Sequence, residues 1–143
     1  MSAEANIQLL RRAWAAWDRG DEEGFASCLT DDWHEHEGNE SGTLDDERQT
    51  MRRHRIAFPD KHTEIHRIVA DEVTVACYCT TTATHTGLYV DAEPAGKRVA
   101  ISEMIFSRVE DGRLAETWVM FGGPGFYAQI TGGKAPPHLD DLG

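Results

Sequence analysis

A single glutamate breaks an otherwise apolar strand pattern. Val99, Ile101 and Ile105 alternate as one face of a β-strand, and Glu103 falls on that face. A carboxylate is costly to bury there, and apolar walls raise its pKa toward neutrality, where a carboxyl group can both donate and accept a proton. What it faces depends on the hairpin at Asp111-Gly112. With a two-residue turn, Glu103 pairs with Met120 and Ile101 with Gly122, all on the face of Trp118. A three-residue loop with a bulge pairs Glu103 with Val119 instead. A glutamate at a sheet edge or subunit surface, or in a structural ion pair, is the other reading.

Two histidines could share proton transfer with it. Histidine as a residue type suits acid–base work near neutral pH, which makes His36 and His85 candidates, although His85 could also serve the backbone where its strand ends, and His36 could cap a helix. His34 and His36 are two residues apart and would share a strand face, but two histidines alone do not make a metal site, so no metal is expected. Trp118 and Met120 offer aromatic and thioether surface for a flat, apolar ligand, with core packing as the alternative. Trp17, Trp33, Ile101 and Cys79 complete the candidate pocket lining, though the helical spacing of Trp14 and Trp17 also fits a core. The chain has no GxGxxG or Walker-type loop and no nucleophilic serine motif.

The elements that would position these residues come in two blocks. Ile7, Leu10, Trp14 and Trp17 form one helical stripe that stops at Gly20, and Asp21 can cap a short second helix through Phe25 and Cys28. A third helix, capped by Thr43, runs through Met51 and Ile56 and ends before Pro59. Strands follow at 63–70, 73–86, 99–109 and 114–121. Helices followed by antiparallel strands indicate an α+β fold. Cys77 and Cys79 would point to one strand face as apolar fillers, with Tyr78 on the other. Residues 1–131 read as one domain and 132–143 as a flexible tail.

The net charge of −11 argues against nucleic acid and anionic membrane surfaces as partners. No stretch is apolar enough for a membrane helix, the first residues do not read as a signal peptide, and the odd cysteine count, three, does not suggest a disulfide framework. The expected location is the cytoplasm.

From about Trp14 to Ile130 the chain resembles the SnoaL-like polyketide cyclases of the NTF2-like superfamily. The likeness rests on Trp33-His34-Glu35-His36, Phe58-Pro59-Asp60, Thr84-His85-Thr86-Gly87 with Glu93-Pro94-Ala95-Gly96-Lys97, and the run from Asp111 to Trp118 with Gln129-Ile130 beyond. It implies a conical fold with helices packed on a curved, mostly antiparallel sheet around an apolar pocket, and commonly a homodimer. It also implies cofactor-free ring closure of a small polyketide-like substrate. The family's acid–base aspartate lies four residues after the equivalent of Trp118, where this chain has Gly122. The family mechanism therefore does not transfer whole. Either Glu103 takes over as acid or base, with His36 or His85, or the pocket closes the ring by shape alone. Related folds also host isomerases, hydroxylases, epoxide hydrolases and non-catalytic binders. Epoxide hydrolysis could draw on Glu103, Glu116 and Arg108, but alternation sets Arg108 on the other face.

Overall fold

The computed structural model describes residues 2–38 and 40–134. Ser2 accepts a hydrogen bond from the Ala5 amide and starts helix α1 (Ala3–Arg19), which Gly20 closes in the left-handed region. The face α1 buries centres on Leu9, Leu10, Ala13 and Ala16; Ile7, Trp14 and Trp17 flank it and are partly buried. Asp21 caps the short α2 (Glu22–Ala26). Two strands follow, β1 (Leu29–Glu37) and β2 (Glu40–Thr43). Thr43 and Asp46 then form a reciprocal capping box that opens α3 (Leu44–Ala57).

The rest of the sheet comprises β3 (His62–Ala70), β4 (Thr74–Thr84), β5 (Arg98–Glu110) and β6 (Arg113–Gly122), and a short α4 (Phe126–Thr131) closes the described chain. The six strands run in the order β2-β1-β6-β5-β4-β3 in one open, curved sheet, antiparallel except for the β1–β6 pair. The loop after β4 is clamped to the end of α3: the Thr86 and Gly87 amides both donate to the Ala57 carbonyl. Gly87 approaches that helix so closely that a Cβ would lie 1.9 Å from the Ile56 carbonyl oxygen. Among the described residues no helix is long and apolar enough to cross a membrane. The expected C-terminal tail lies outside the described residues from position 135 onward.

One residue decides which way β6 faces. The Asp111-Gly112 turn has two residues, both at positive φ, and pairs Glu110 with Arg113 and Val109 with Leu114 as expected. Ala115 is then an extra residue, and Arg108 pairs with Glu116. Beyond that bulge every β6 side chain has changed face. Thr117 and Val119 turn inward and are buried, whereas Trp118 and Met120 turn outward, 36% and 70% exposed. This corrects the expectation that Trp118 and Met120 look into the pocket. Glu103 pairs with Phe121, neither Met120 nor Val119, and Gly122 pairs with Ser102 in place of Ile101.

Candidate active site

The concave side of the sheet carries two separate apolar clusters. The larger joins Leu9, Leu10 and Met51 from the helices to Val75, Cys77, Cys79, Ile105 and Val119 from the strands. The smaller joins Ala57, Phe58, Ala83, Val99, Ile101 and Phe126. Glu103 sits between them on β5, flanked by Ile101 and Ile105 and paired with Cys79. The interior is therefore not uniformly apolar, as the sequence led us to expect, but has a charged belt between its two greasy ends.

That belt is built from four elements. Alternation along β1 turns Trp33 and Glu35 inward, both buried, with Glu37 exposed at the rim. The Trp33 indole donates to Thr117 Oγ1 at 3.0 Å, and Thr117 shares a 2.9 Å hydrogen bond with Ser107, which anchors β1 to the inner face of β6 and β5. From α3, Glu47 accepts the Trp17 indole N–H at 2.8 Å. From α1, Asp18 accepts the Thr63 amide and hydroxyl, which ties the end of that helix to the start of β3. Lys61, just after Pro59, points inward with only 5% of its side chain exposed; its Nζ lies 3.7 Å from Asp18 Oδ1 and 3.0 Å above the Trp17 ring.

Burial and mutual repulsion set the protonation of this group. Burial pushes the Glu103 carboxyl up to about 7, against the opposing pull of the Lys61 ammonium. Glu35 is driven far above the usual carboxylate range by burial, then by the charge and hydrogen bond of Glu47, so it carries a proton at neutral pH. Burial lowers Lys61 to about 8, with Asp18 and Glu103 holding it up. His54, on α3 beside Trp17 and Phe58, is kept neutral by burial and by the nearby charge of Lys61 and Arg53. A carboxyl poised at neutrality, a protonated acid and a cation thus share the concave side, groups that can move a proton and stabilise a developing oxyanion.

Two cavities reach this belt. One of about 650 Å³ lies between α1 and the start of β3, and one of about 300 Å³ lies between α1 and α3; both are lined by Asp18, Arg19, Pro59 and Lys61. Neither is lined by Glu103 or Trp118.

Of the residues singled out in the sequence, Glu103, Trp17, Trp33, Ile101 and Cys79 lie on the concave side. The Cys79 thiol donates to the Glu103 carbonyl at 3.8 Å, and the neighbouring Cys77 together with burial pushes its ionisation up. His85 is 1% exposed beside Phe58, and neither ring nitrogen has a hydrogen-bond partner among the described residues. His36, Trp118 and Met120 stand on the convex face, where the His36 ring stacks on Trp118. Gly122 is exposed at the end of β6. Sequence reasoning missed Asp18, Glu35, Glu47, His54 and Lys61. One signal was available: Trp33 and Glu35 alternate at the period of a strand, so an inward Trp33 carries Glu35 inward with it.

Solved structures share this fold. AclR from Streptomyces galilaeus, a candidate hydroxylase, is 27% identical, with 97% of this chain and 88% of that chain covered and a TM-score of 0.83. TsrD from Streptomyces laurentii is 18% identical over 91% of this chain and 97% of that one, with a TM-score of 0.77. IdmH from Streptomyces antibioticus, a candidate polyketide cyclase, is 20% identical over 88% and 95%, with a TM-score of 0.72. A search of curated proteins finds no match. The sequence profile of the SnoaL-like polyketide cyclases matches residues 7–130, and the chain belongs to that family.

Proposed function

We propose that this protein is a cofactor-free acid–base enzyme that closes a ring in a small polyketide-derived intermediate, with Glu103 as the proton-transferring carboxyl. The observation that carries the reading is the position of Glu103: a carboxyl held near neutrality between two apolar clusters, within the field of the buried Lys61 ammonium. Glu103 removes a proton from the carbon next to a carbonyl. The electron pair left behind forms the new carbon–carbon bond to a second carbonyl, whose oxygen takes up the proton that Glu103 removed. Lys61 supplies positive charge to the oxygen that becomes negative, and apolar walls strengthen that interaction by excluding water. Family membership supports a polyketide-like substrate.

The likeness to AclR favours a second reading, hydroxylation of a similar substrate. The same deprotonation can start either reaction, but hydroxylation consumes dioxygen and needs two reducing equivalents to turn the second oxygen atom into water, which ring closure does not.

A homodimer and a cytoplasmic location belong to the same proposal. Met104 pairs with Met120 and Phe106 with Trp118 across β5 and β6, a continuous apolar strip on the convex face that a second copy would cover. The unpaired cysteines suit a reducing compartment. Light scattering on the F106D variant tests the dimer: wild type should run at twice the mass of the variant.

The reaction class is tested by proton exchange. A slowly exchanging aryl ketone mimic is incubated in D2O, and loss of its α-proton signal is followed by NMR. Wild type should accelerate exchange, and E103Q should lose about 10²–10⁴ of that rate. Tight binding with no exchange by wild type, or full exchange by E103Q, would refute the acid–base reading.

A further inference from the structure

The convex face carries a second cluster of chemically competent side chains, away from the concave belt. The parallel pairing of β1 with β6 sets His34 beside Glu116 and His36 beside Trp118. Both imidazole Nε2 atoms converge on one carboxylate oxygen, Glu116 Oε2, at 3.0 Å from His34 and 2.7 Å from His36. The expectation of no metal weighed two histidines alone; the bulge at Ala115 turns Glu116 to the same side and adds a third donor.

The geometry points to a site for one divalent first-row transition ion of the zinc class, held by His34 Nε2, His36 Nε2 and Glu116. The three ligand atoms lie within 4.8 Å of one another. Zinc bonds of about 2.0–2.2 Å in tetrahedral geometry place donors roughly 3.3–3.6 Å apart, so the Glu116 oxygen has to withdraw from the two nitrogens by roughly 0.3–0.9 Å, with the imidazoles adjusting alongside, to admit the ion.

The surroundings are those of a prepared ligand set. Without an ion the His34 Nε2–H faces the Glu116 carboxylate, which accepts it. When Nε2 gives up that proton to bind a metal, the proton of the neutral ring sits on Nδ1, 3.4 Å from the Asp32 carbonyl, which accepts it as the outer partner that metal-bound histidines commonly have. The second Glu116 oxygen faces the Arg108 guanidinium at 3.5 Å, and stacking on Trp118 at 5.3 Å and 23° fixes the plane of His36. Imidazole nitrogens select against calcium and magnesium. In the single chain the His34, His36 and Glu116 side chains are 44%, 31% and 20% exposed, so an ion can reach them before a second copy covers the neighbouring Trp118.

The test is a cobalt titration of the full chain carrying no histidine tag, read by visible absorption. Wild type should develop a ligand-field band that saturates at one equivalent and is bleached by zinc. H34A and E116Q should each weaken binding at least as much as the roughly 10–100-fold that loss of an outer-shell partner costs. H66A, whose ring instead bonds Thr80 on β4, should bind as wild type does. NMR of ¹⁵N-histidine wild-type protein gives a readout that needs no variant: zinc should move two histidine Nε2 signals together, and those two should be the signals missing from H34A and H36A. Absence of a saturable band, undiminished binding by H34A or E116Q, or zinc shifts confined to other histidines would overturn the site.

Discussion

Replacing Glu103 with glutamine should remove the pH dependence that this carboxyl imposes on folding. In the unfolded chain the group ionises at its ordinary value of 4.5, whereas in the folded protein burial holds it protonated to about 7. Between these values the native state binds more protons than the unfolded state, so stability is greatest below pH 4.5 and falls as pH rises through 7. A displacement from 4.5 to about 7 corresponds to about 3 kcal/mol at roughly 1.4 kcal/mol per pH unit. That displacement is already net of the opposing pull of Lys61, so the variant should gain about 3 kcal/mol on wild type over this range. Glutamine keeps the shape and carries no charge. Urea unfolding of wild type and E103Q at pH 5, 6, 7 and 8 gives the difference directly. E103Q should gain on wild type steadily from pH 5 to pH 7 and no further above pH 8. A difference that stays constant across the series would mean that Glu103 is solvated in the folded protein, and the reasoning would fail.

Other outcomes follow from the same geometry. K61M should raise the Glu103 midpoint above 7, because the Lys61 ammonium opposes the effect of burial there; a carboxyl NMR titration of the variant reads this. W118A should leave proton exchange in the pocket near wild-type rate while weakening self-association in light scattering, since its indole lies on the convex face. G87A should lower the melting temperature by the equivalent of about 1–3 kcal/mol, the usual cost of overpacking, because the added methyl meets the backbone of α3 and not a yielding side chain. W33F should cost about 1–3 kcal/mol in urea unfolding by leaving the buried Thr117 hydroxyl without its indole donor.

The first three helices and strands β3 to β6 were legible because each rests on local signals: Gly20, Thr43 and Pro59 as punctuation, and β-branched alternation through β4 and β5; β2 and the short α4 were not read. Strand β1 was not read as a strand from its own pattern. Its run Asp31, Asp32, His34, Glu35, His36 and Glu37 has low strand propensity, and it is held by a distant parallel partner and by the Trp33–Thr117 bond. The turn at Asp111-Gly112 was correctly read, yet the side of the sheet that Trp118 occupies was not. That depended on Ala115, a residue whose type carries no bulge signal, and a single insertion reverses all that follows. Glu103 was recognised because a charge in an apolar alternation is conspicuous. Lys61 and Asp18 were not, because their burial arises from the docking of α1 against β3, which no local pattern announces.

The most direct test of the account is the ionisation of Glu103 itself. Carboxyl ¹³C NMR of glutamate-labelled wild type, assigned by the signal missing from E103Q, should show that resonance titrating with a midpoint near 7. A midpoint below 5 would place an ordinary solvated carboxylate at this position and contradict the proposed chemistry.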